Sequence, residues 1–103
     1  MYREIKKGNY EFEIFWPSSQ PLDPENEAVD VIVRAGNEEY TGTVITPRHI
    51  GDLFEKNRRT GECADGSYFC MPRIVIVRRI DRDTIKKTLD DLIKEGEFHT
   101  YFK

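Results

Sequence analysis

The most regular pattern in the chain is an alternation of apolar and polar side chains in YEFEIFW, residues 10–16. A period of two with one apolar face is typical of a half-buried antiparallel strand. Pro17 ends the pattern, because its ring fixes φ and removes a backbone donor. The pattern therefore predicts a first strand with Glu11 and Glu13 on its solvent face. The residues predicted on its buried face are Tyr10, Phe12, Ile14 and Trp16.

Two more strand-like runs follow a proline-rich loop at residues 17–26. AVDVIVRA and EYTGTVIT both alternate, and the GNEE between them brings a glycine next to an asparagine. Such a pair between two β-rich runs is a strong hairpin signal. We therefore predict that the second and third strands form a hairpin. Its inward positions are Val29, Val31, Val33, Tyr40, Gly42 and Val44.

The segment TPRHIGDLFEKNRRTGE predicts a helix. Thr46 suits the N-cap, and Pro47 suits the first helical position, where a backbone N–H has no partner inside the helix. Gly61 fits the left-handed cap that commonly ends a helix. Between these limits one apolar stripe recurs at helical spacing. It consists of Ile50, Leu53 and Phe54.

The rest of the chain predicts one or two strands and a last helix. Residues 67–80, SYFCMPRIVIVRRI, are rich in β-branched and aromatic types, but Pro72 marks a bulge, an edge or a turn. One bent strand and two separate strands both remain open. Residues 83–96, DTIKKTLDDLIKEG, repeat isoleucine and leucine at helical spacing after a capping Asp81 or Asp83.

These elements predict one α+β domain over residues 1–103, in the order β-β-β-α-β(β)-α. We expect an antiparallel sheet of four to five strands with both helices packed on one face. No apolar run approaches the length of a membrane span, and no apolar stretch follows the basic N-terminal start. We therefore expect a cytoplasmic protein with no membrane partner.

Charge is divided unevenly along the chain. Residues 1–47 carry nine acidic and four basic side chains, whereas residues 48–103 carry ten acidic and twelve basic ones. An acidic surface attracts a basic partner, and exposed aromatic side chains are typical anchors of protein interfaces. The sequence therefore predicts a non-enzymatic module that binds another protein through its N-terminal sheet. The candidate binding residues are Glu11, Glu13, Phe15, Asp30, Glu38 and Glu39.

Cys63 and Cys70 flank an Asp-Gly turn signal in GECADGSYFC. A two-residue hairpin turn at Asp65-Gly66 would put the two α-carbons roughly 7–8 Å apart, beyond the usual disulfide range. The spacing also fits neither a redox pair nor a zinc knuckle. We expect packing residues, although an irregular loop would let the thiols pair.

Other chemistry has little support in the sequence. There is no nucleophile elbow and no phosphate loop, so we predict no catalytic residue and no cofactor. His49 and His99 stand far apart in the sequence, and we predict no metal site. The alternative function is binding of nucleic acid or a small anion through the basic segment 73–87. Strand alternation divides that basic patch and two aspartates dilute it, which argues against nucleic acid.

The C-terminal half resembles a group of small uncharacterised bacterial proteins. The likeness lies in a T-x3-I-x2-L helix that starts at Thr46, a Tyr-Phe strand, a β-branched run and a final TI…L…LI…GEF helix. These motifs are structural, and the resemblance implies no activity. In size and charge the chain is also similar in outline to immunity proteins of bacterial toxin systems. A homodimer through an unpaired sheet edge is a further open alternative.

Overall fold

The computed structural model describes residues 9–17 and 23–103. The basic start at residues 1–8 and the middle of the predicted proline-rich loop, residues 18–22, lie outside the described residues. The strands are β1 (Glu11–Phe15), β2 (Ala28–Ala35), β3 (Glu38–Ile45) and β4 (Ile74–Ile76). The helices are α1 (Pro47–Thr60), α2 (Glu62–Gly66), α3 (Arg82–Lys94) and α4 (Phe98–Tyr101).

The first three strands form the antiparallel meander that the alternating pattern predicted. β1 pairs with β2 so that Phe12 lies opposite Val33, and β2 pairs with β3 so that Val33 lies opposite Tyr40. All three side chains are buried. The predicted hairpin is confirmed, with Gly36 in the left-handed region at φ 61° between its strands.

The fourth strand corrects the prediction of an antiparallel sheet. β4 completes the described sheet in the order β1-β2-β3-β4, but it runs parallel to β3, with Thr43 opposite Ile74. Parallel neighbours need a crossover of a dozen or more residues, which is usually a helix. Here α1 and α2 fill the connection between β3 and β4. The fold is therefore α+β with a mixed sheet of four strands in the described chain.

The predicted strand at residues 67–80 is reduced to the three residues of β4, and the turn at Asp65-Gly66 is not a hairpin. Cys63, Ala64 and Asp65 instead adopt left-handed backbone angles, with φ between 52° and 58°. This conformation costs a residue with a Cβ roughly 1–2 kcal/mol. Gly66 follows at φ 78°, where a Cβ would lie 2.8 Å from the carbonyl oxygen of Phe54. The glycine therefore lets the turn lie directly on α1.

The number of helices also exceeds the prediction. α1 and α3 are the two long helices that the sequence indicated, and both caps of α1 are confirmed at Thr46 and Gly61. Asp81 caps α3 by accepting from the backbone N–H of Thr84 at 2.7 Å. The two additional helices, α2 and α4, have five and four residues, too few to give a periodic signal in the sequence.

One face of the sheet carries the hydrophobic core. Ile85 and Leu89 of α3 and Phe98 of α4 pack there against the inward strand residues, together with Phe102. Among the described residues α1 adds nothing to this cluster. Its Phe54 is 36% exposed and contacts the ring of Phe69 at 6.4 Å between centroids. Of the two predicted helices, only α3 therefore packs on the core as expected.

Candidate functional site

The candidate site is the face of the sheet that points away from the core. Cross-strand pairing arranges this outward face in three rows along β1, β2 and β3. The rows are Glu11–Arg34–Glu39, Glu13–Ile32–Thr41 and Phe15–Asp30–Thr43. Five of the six predicted binding residues therefore share one surface. Glu38 does not, because alternation turns it toward the opposite side of β3.

A single arginine organises the carboxylates at one end of this face. The Arg34 guanidinium donates to Glu39 Oε2 at 3.0 Å and to Glu13 Oε1 at 3.2 Å. The hydrogen bonds that Arg34 donates to Glu39 and Glu13 raise the pKa of Arg34 above its ordinary value. The three side chains are between 41% and 58% exposed, so each ion pair contributes little to stability. The bonds hold Glu13 and Glu39 in place, and Glu11 beside them makes no ion pair with another described residue.

The other end of the outward face is a shallow trough with apolar walls. Two adjoining depressions of about 320 and 300 Å³ share Asp30, Thr43 and Met71 in their lining. Phe15 and Met71 are each 45% exposed. The Thr43 hydroxyl donates to Asp30 Oδ1 at 2.8 Å and so fixes the carboxylate on the floor. An oriented carboxylate thus lies between exposed apolar side chains.

Two of these trough residues were missed from the sequence. Thr43 had a usable signal, because the predicted alternation puts it on the outward side of β3, and the observed hairpin register then places it directly opposite Asp30. Met71 had none, since only the unpredicted crossover to β4 brings residues 71–73 over this end of the sheet.

A second polar cluster joins the start of the sheet to α3. The Tyr10 hydroxyl donates to Asp90 Oδ1 at 2.6 Å and accepts from Lys86 Nζ at 3.2 Å. Lys86 also binds both Asp90 oxygens, at 2.8 and 3.0 Å, and lies 4.7 Å from the centre of the Tyr10 ring. Burial, followed by the hydrogen bond to Asp90, raises the pKa of Tyr10 to about 12. The cluster favours the neutral phenol and stabilises the contact between the chain before β1 and α3.

This shift predicts a loss of stability in alkali. The pKa of Tyr10 is about 12 in the folded protein and about 10 when unfolded, so its contribution is complete below pH 10 and disappears as pH rises toward 12. We expect urea unfolding to show a steeper fall in stability between about pH 10 and about pH 12 for wild type than for Tyr10→Phe. The phenolate absorbance of Tyr10 is the absorbance of the wild type minus that of Tyr10→Phe. Its rise with pH should have a midpoint near pH 12. A midpoint near 10 would contradict the prediction.

The cations of segment 73–87 are dispersed rather than gathered into one patch. Arg79 pairs with Asp81 at 2.7 Å, and Arg82 lies 4.3 Å from the centre of the Phe12 ring. Lys86 belongs to the tyrosine cluster, and Arg73 lines one end of the trough. Arg78 lines a separate cleft of about 600 Å³. That cleft also contains Arg48, which pairs with Asp23 at 3.0 Å, and Glu25.

The cysteines and histidines lie in unrelated environments. Both cysteines are free, with Cys63 half-buried and Cys70 exposed, so the expectation of two packing residues is wrong for Cys70. His49 Nδ1 lies 3.0 Å from Asn26 Oδ1, and the ring of His99 contacts those of Tyr40 and Phe98. Across residues 9–17 and 23–103, no three side chains of His, Cys, Asp or Glu converge in a way that would hold a metal ion.

In the same described ranges, no helix has both the length and the apolar character needed to cross a membrane. Comparison of the chain with protein-family models, with curated proteins and with solved structures gave no match. The resemblance to small uncharacterised bacterial proteins and to immunity proteins therefore stays a prediction.

Proposed function

We propose that this protein is a non-enzymatic interaction module that binds a basic segment of another protein on the outward face of β1, β2 and β3. One observation carries the proposal: exposed apolar side chains and carboxylates occupy the same face of the sheet, which no other described helix or strand covers. Phe15 and Met71 are both 45% exposed there, beside Asp30 and within the same sheet face as Glu11 and Glu13. Apolar anchors supply affinity, and the charges select the partner and its orientation.

The sign of the charge supports a basic partner. The carboxylates of Glu11, Glu13, Asp30 and Glu39 share this face of three strands with the guanidinium of Arg34. Because Arg34 is already bound to Glu13 and Glu39, it offsets only part of their charge. A phosphate backbone would be repelled, whereas lysine and arginine side chains would be attracted.

The alternative of an anion bound by segment 73–87 has weaker support. Arg79, Arg82 and Lys86 already contact an aspartate or an aromatic ring. In the cleft beside Arg78, the Asp23 carboxylate and Glu25 offset the two arginines. The dispersed cations provide no common surface for a phosphate chain.

Selection from a random peptide library tests the proposal with a defined probe. Displayed peptides are selected on the immobilised full chain, and bound peptides are then measured against Glu13→Lys/Phe15→Ser. We expect enrichment of peptides with lysine or arginine next to apolar residues, and about tenfold weaker binding to the variant. Affinity should fall when ionic strength is raised from about 0.05 M to about 0.5 M.

The matched control is Asp91→Lys, which makes the same kind of charge change at an exposed position of α3. Its affinity for the selected peptides should stay within about twofold of wild type, since it is not on the outward face. The proposal fails if no peptide is enriched, or if enriched peptides bind Glu13→Lys/Phe15→Ser as tightly as wild type.

A further inference from the structure

We infer that the trough at Asp30 receives one lysine side chain of the bound partner, with its ammonium on the carboxylate and its methylene stem between Phe15 and Met71. This inference rests on the proposed function and names the chemical group that the face recognises. It depends on the shape of the trough, on the hydrogen bonding of Asp30 and on the position of Arg73, which lines the trough.

The walls of the trough match an alkyl stem. Phe15 and Pro17 line one of the two depressions, and Met71 and Asp30 line both. A lysine stem has four methylene groups that pack on apolar surface while the charged end reaches a polar group. Methionine adapts its shape to such a neighbour, and an aromatic ring attracts a nearby cation. The apolar walls therefore favour a cation with a long stem over a small hydrated ion.

The Asp30 carboxylate is oriented but has no cationic partner within the described chain. Thr43 is the only described side chain that donates to it, and the described Lys and Arg residues form no ion pair with it. The hydroxyl occupies one position on Oδ1. Oδ2 is left for a donor that enters the trough from outside.

This arrangement selects lysine over arginine. A guanidinium binds a carboxylate best through two parallel bonds that use both oxygens. At Asp30, Oδ1 already accepts from Thr43 at 2.8 Å, so a guanidinium bound through both oxygens would have to share Oδ1 with this internal bond. An ammonium is a compact point charge and needs only one free oxygen.

Arg73 sets the direction from which the side chain enters. It lines the far end of the trough, beyond Met71 and Pro72, whereas the Phe15 end has no described cation in its lining. The positive charge of Arg73 repels a second cation at that end. The lysine side chain therefore enters past Phe15, and Arg73 closes the opposite end.

Titration with n-butylammonium, followed by amide and methionine-methyl NMR, tests the inference on the full chain. n-Butylammonium reproduces the stem and charge of lysine, n-butanol is the neutral control, and n-butylguanidinium represents arginine. We expect saturable shifts at Asp30, Thr43 and the Met71 methyl group. Binding should be about tenfold weaker for n-butanol and for Asp30→Asn, because each loses the charge-assisted bond. n-Butylguanidinium should also bind more weakly than n-butylammonium.

The outcomes separate this inference from the proposed function. Shifts confined to Glu11, Glu13 and Glu39 would overturn the lysine trough and leave the binding face intact. Equal or tighter binding of n-butylguanidinium would overturn the selection for lysine. If Asp30→Asn does not fold, the Met71→Ala variant tests the inference instead. Loss of this apolar wall should weaken the binding of n-butylammonium. An unchanged affinity would contradict the inference. Failure of peptide selection, in contrast, would remove the proposed function itself.

Discussion

Replacing Phe102 with alanine should lower the free energy of unfolding by about 3–5 kcal/mol, as expected for the loss of a fully buried aromatic side chain. The ring is 0% exposed and stacks on Phe98 with 4.9 Å between centroids. It lies so close to β3 that a Cβ at Gly42 would come within 2.8 Å of it. Removal of the ring leaves a cavity between Phe98 and the backbone of β3 at Gly42. Urea unfolding followed by circular dichroism measures the change.

Phe15→Ala is the matched control for this prediction. It removes the same side chain from an exposed strand position, so stability should change by less than about 1 kcal/mol. Phe102→Leu keeps part of the buried volume and should fall between wild type and Phe102→Ala. Should Phe102→Ala fail to fold, the leucine variant still measures the packing. A loss below about 1 kcal/mol for Phe102→Ala would contradict the core described above.

The sequence predicted those helices and strands whose conformation depends only on residues within or next to the element. Alternation in residues 10–16 fixed which side chains of β1 are buried, because Phe12 and Ile14 point inward as a period of two requires. The limits of α1 followed from Thr46, Pro47 and Gly61, whose capping chemistry is local. Where a few neighbouring residues decide the conformation, the sequence was sufficient.

The course of residues 61–73 could not be predicted in the same way. Asp65-Gly66 is a turn signal that suits a hairpin and also a left-handed turn, and the structure takes the second. The choice depends on contact between Gly66 and the backbone of α1, which is a tertiary contact. The same applies to β4, since nothing within Ile74–Ile76 distinguishes a parallel from an antiparallel neighbour.

The same distinction between local and tertiary determinants applies to the residues of the candidate site. Glu11, Glu13, Phe15, Asp30 and Glu39 were predicted on the N-terminal sheet and share one surface of it, because strand alternation is a local property. Glu38 was misassigned to that surface, although the same alternation turns it away. The trough could not be predicted, because its wall includes Met71, which only the crossover to β4 places beside the sheet. A surface was thus predictable from the sequence, whereas its concave shape was not.

Thr46 joins the start of α1 to the chain before β2 through one buried hydroxyl. The side chain is 0% exposed, and its Oγ1 accepts from the backbone N–H of Glu27 at 3.1 Å and from that of His49 at 3.4 Å. The backbone N–H of Thr46 also donates to the carbonyl of Glu27 at 3.1 Å. The hydroxyl therefore caps α1 and binds the chain just before β2.

Thr46→Val should lower the free energy of unfolding by about 1–3 kcal/mol, because the isosteric methyl group leaves two backbone donors without their acceptor. Thr88→Val is the matched control, since the Thr88 hydroxyl only adds a bond to the Thr84 carbonyl within α3. The control should stay within about 0.5 kcal/mol of wild type. Urea unfolding compares the two variants, and equal stabilities would mean that Thr46 acts only by filling space. A larger loss at Thr46 would show that the hydroxyl itself couples the start of α1 to β2.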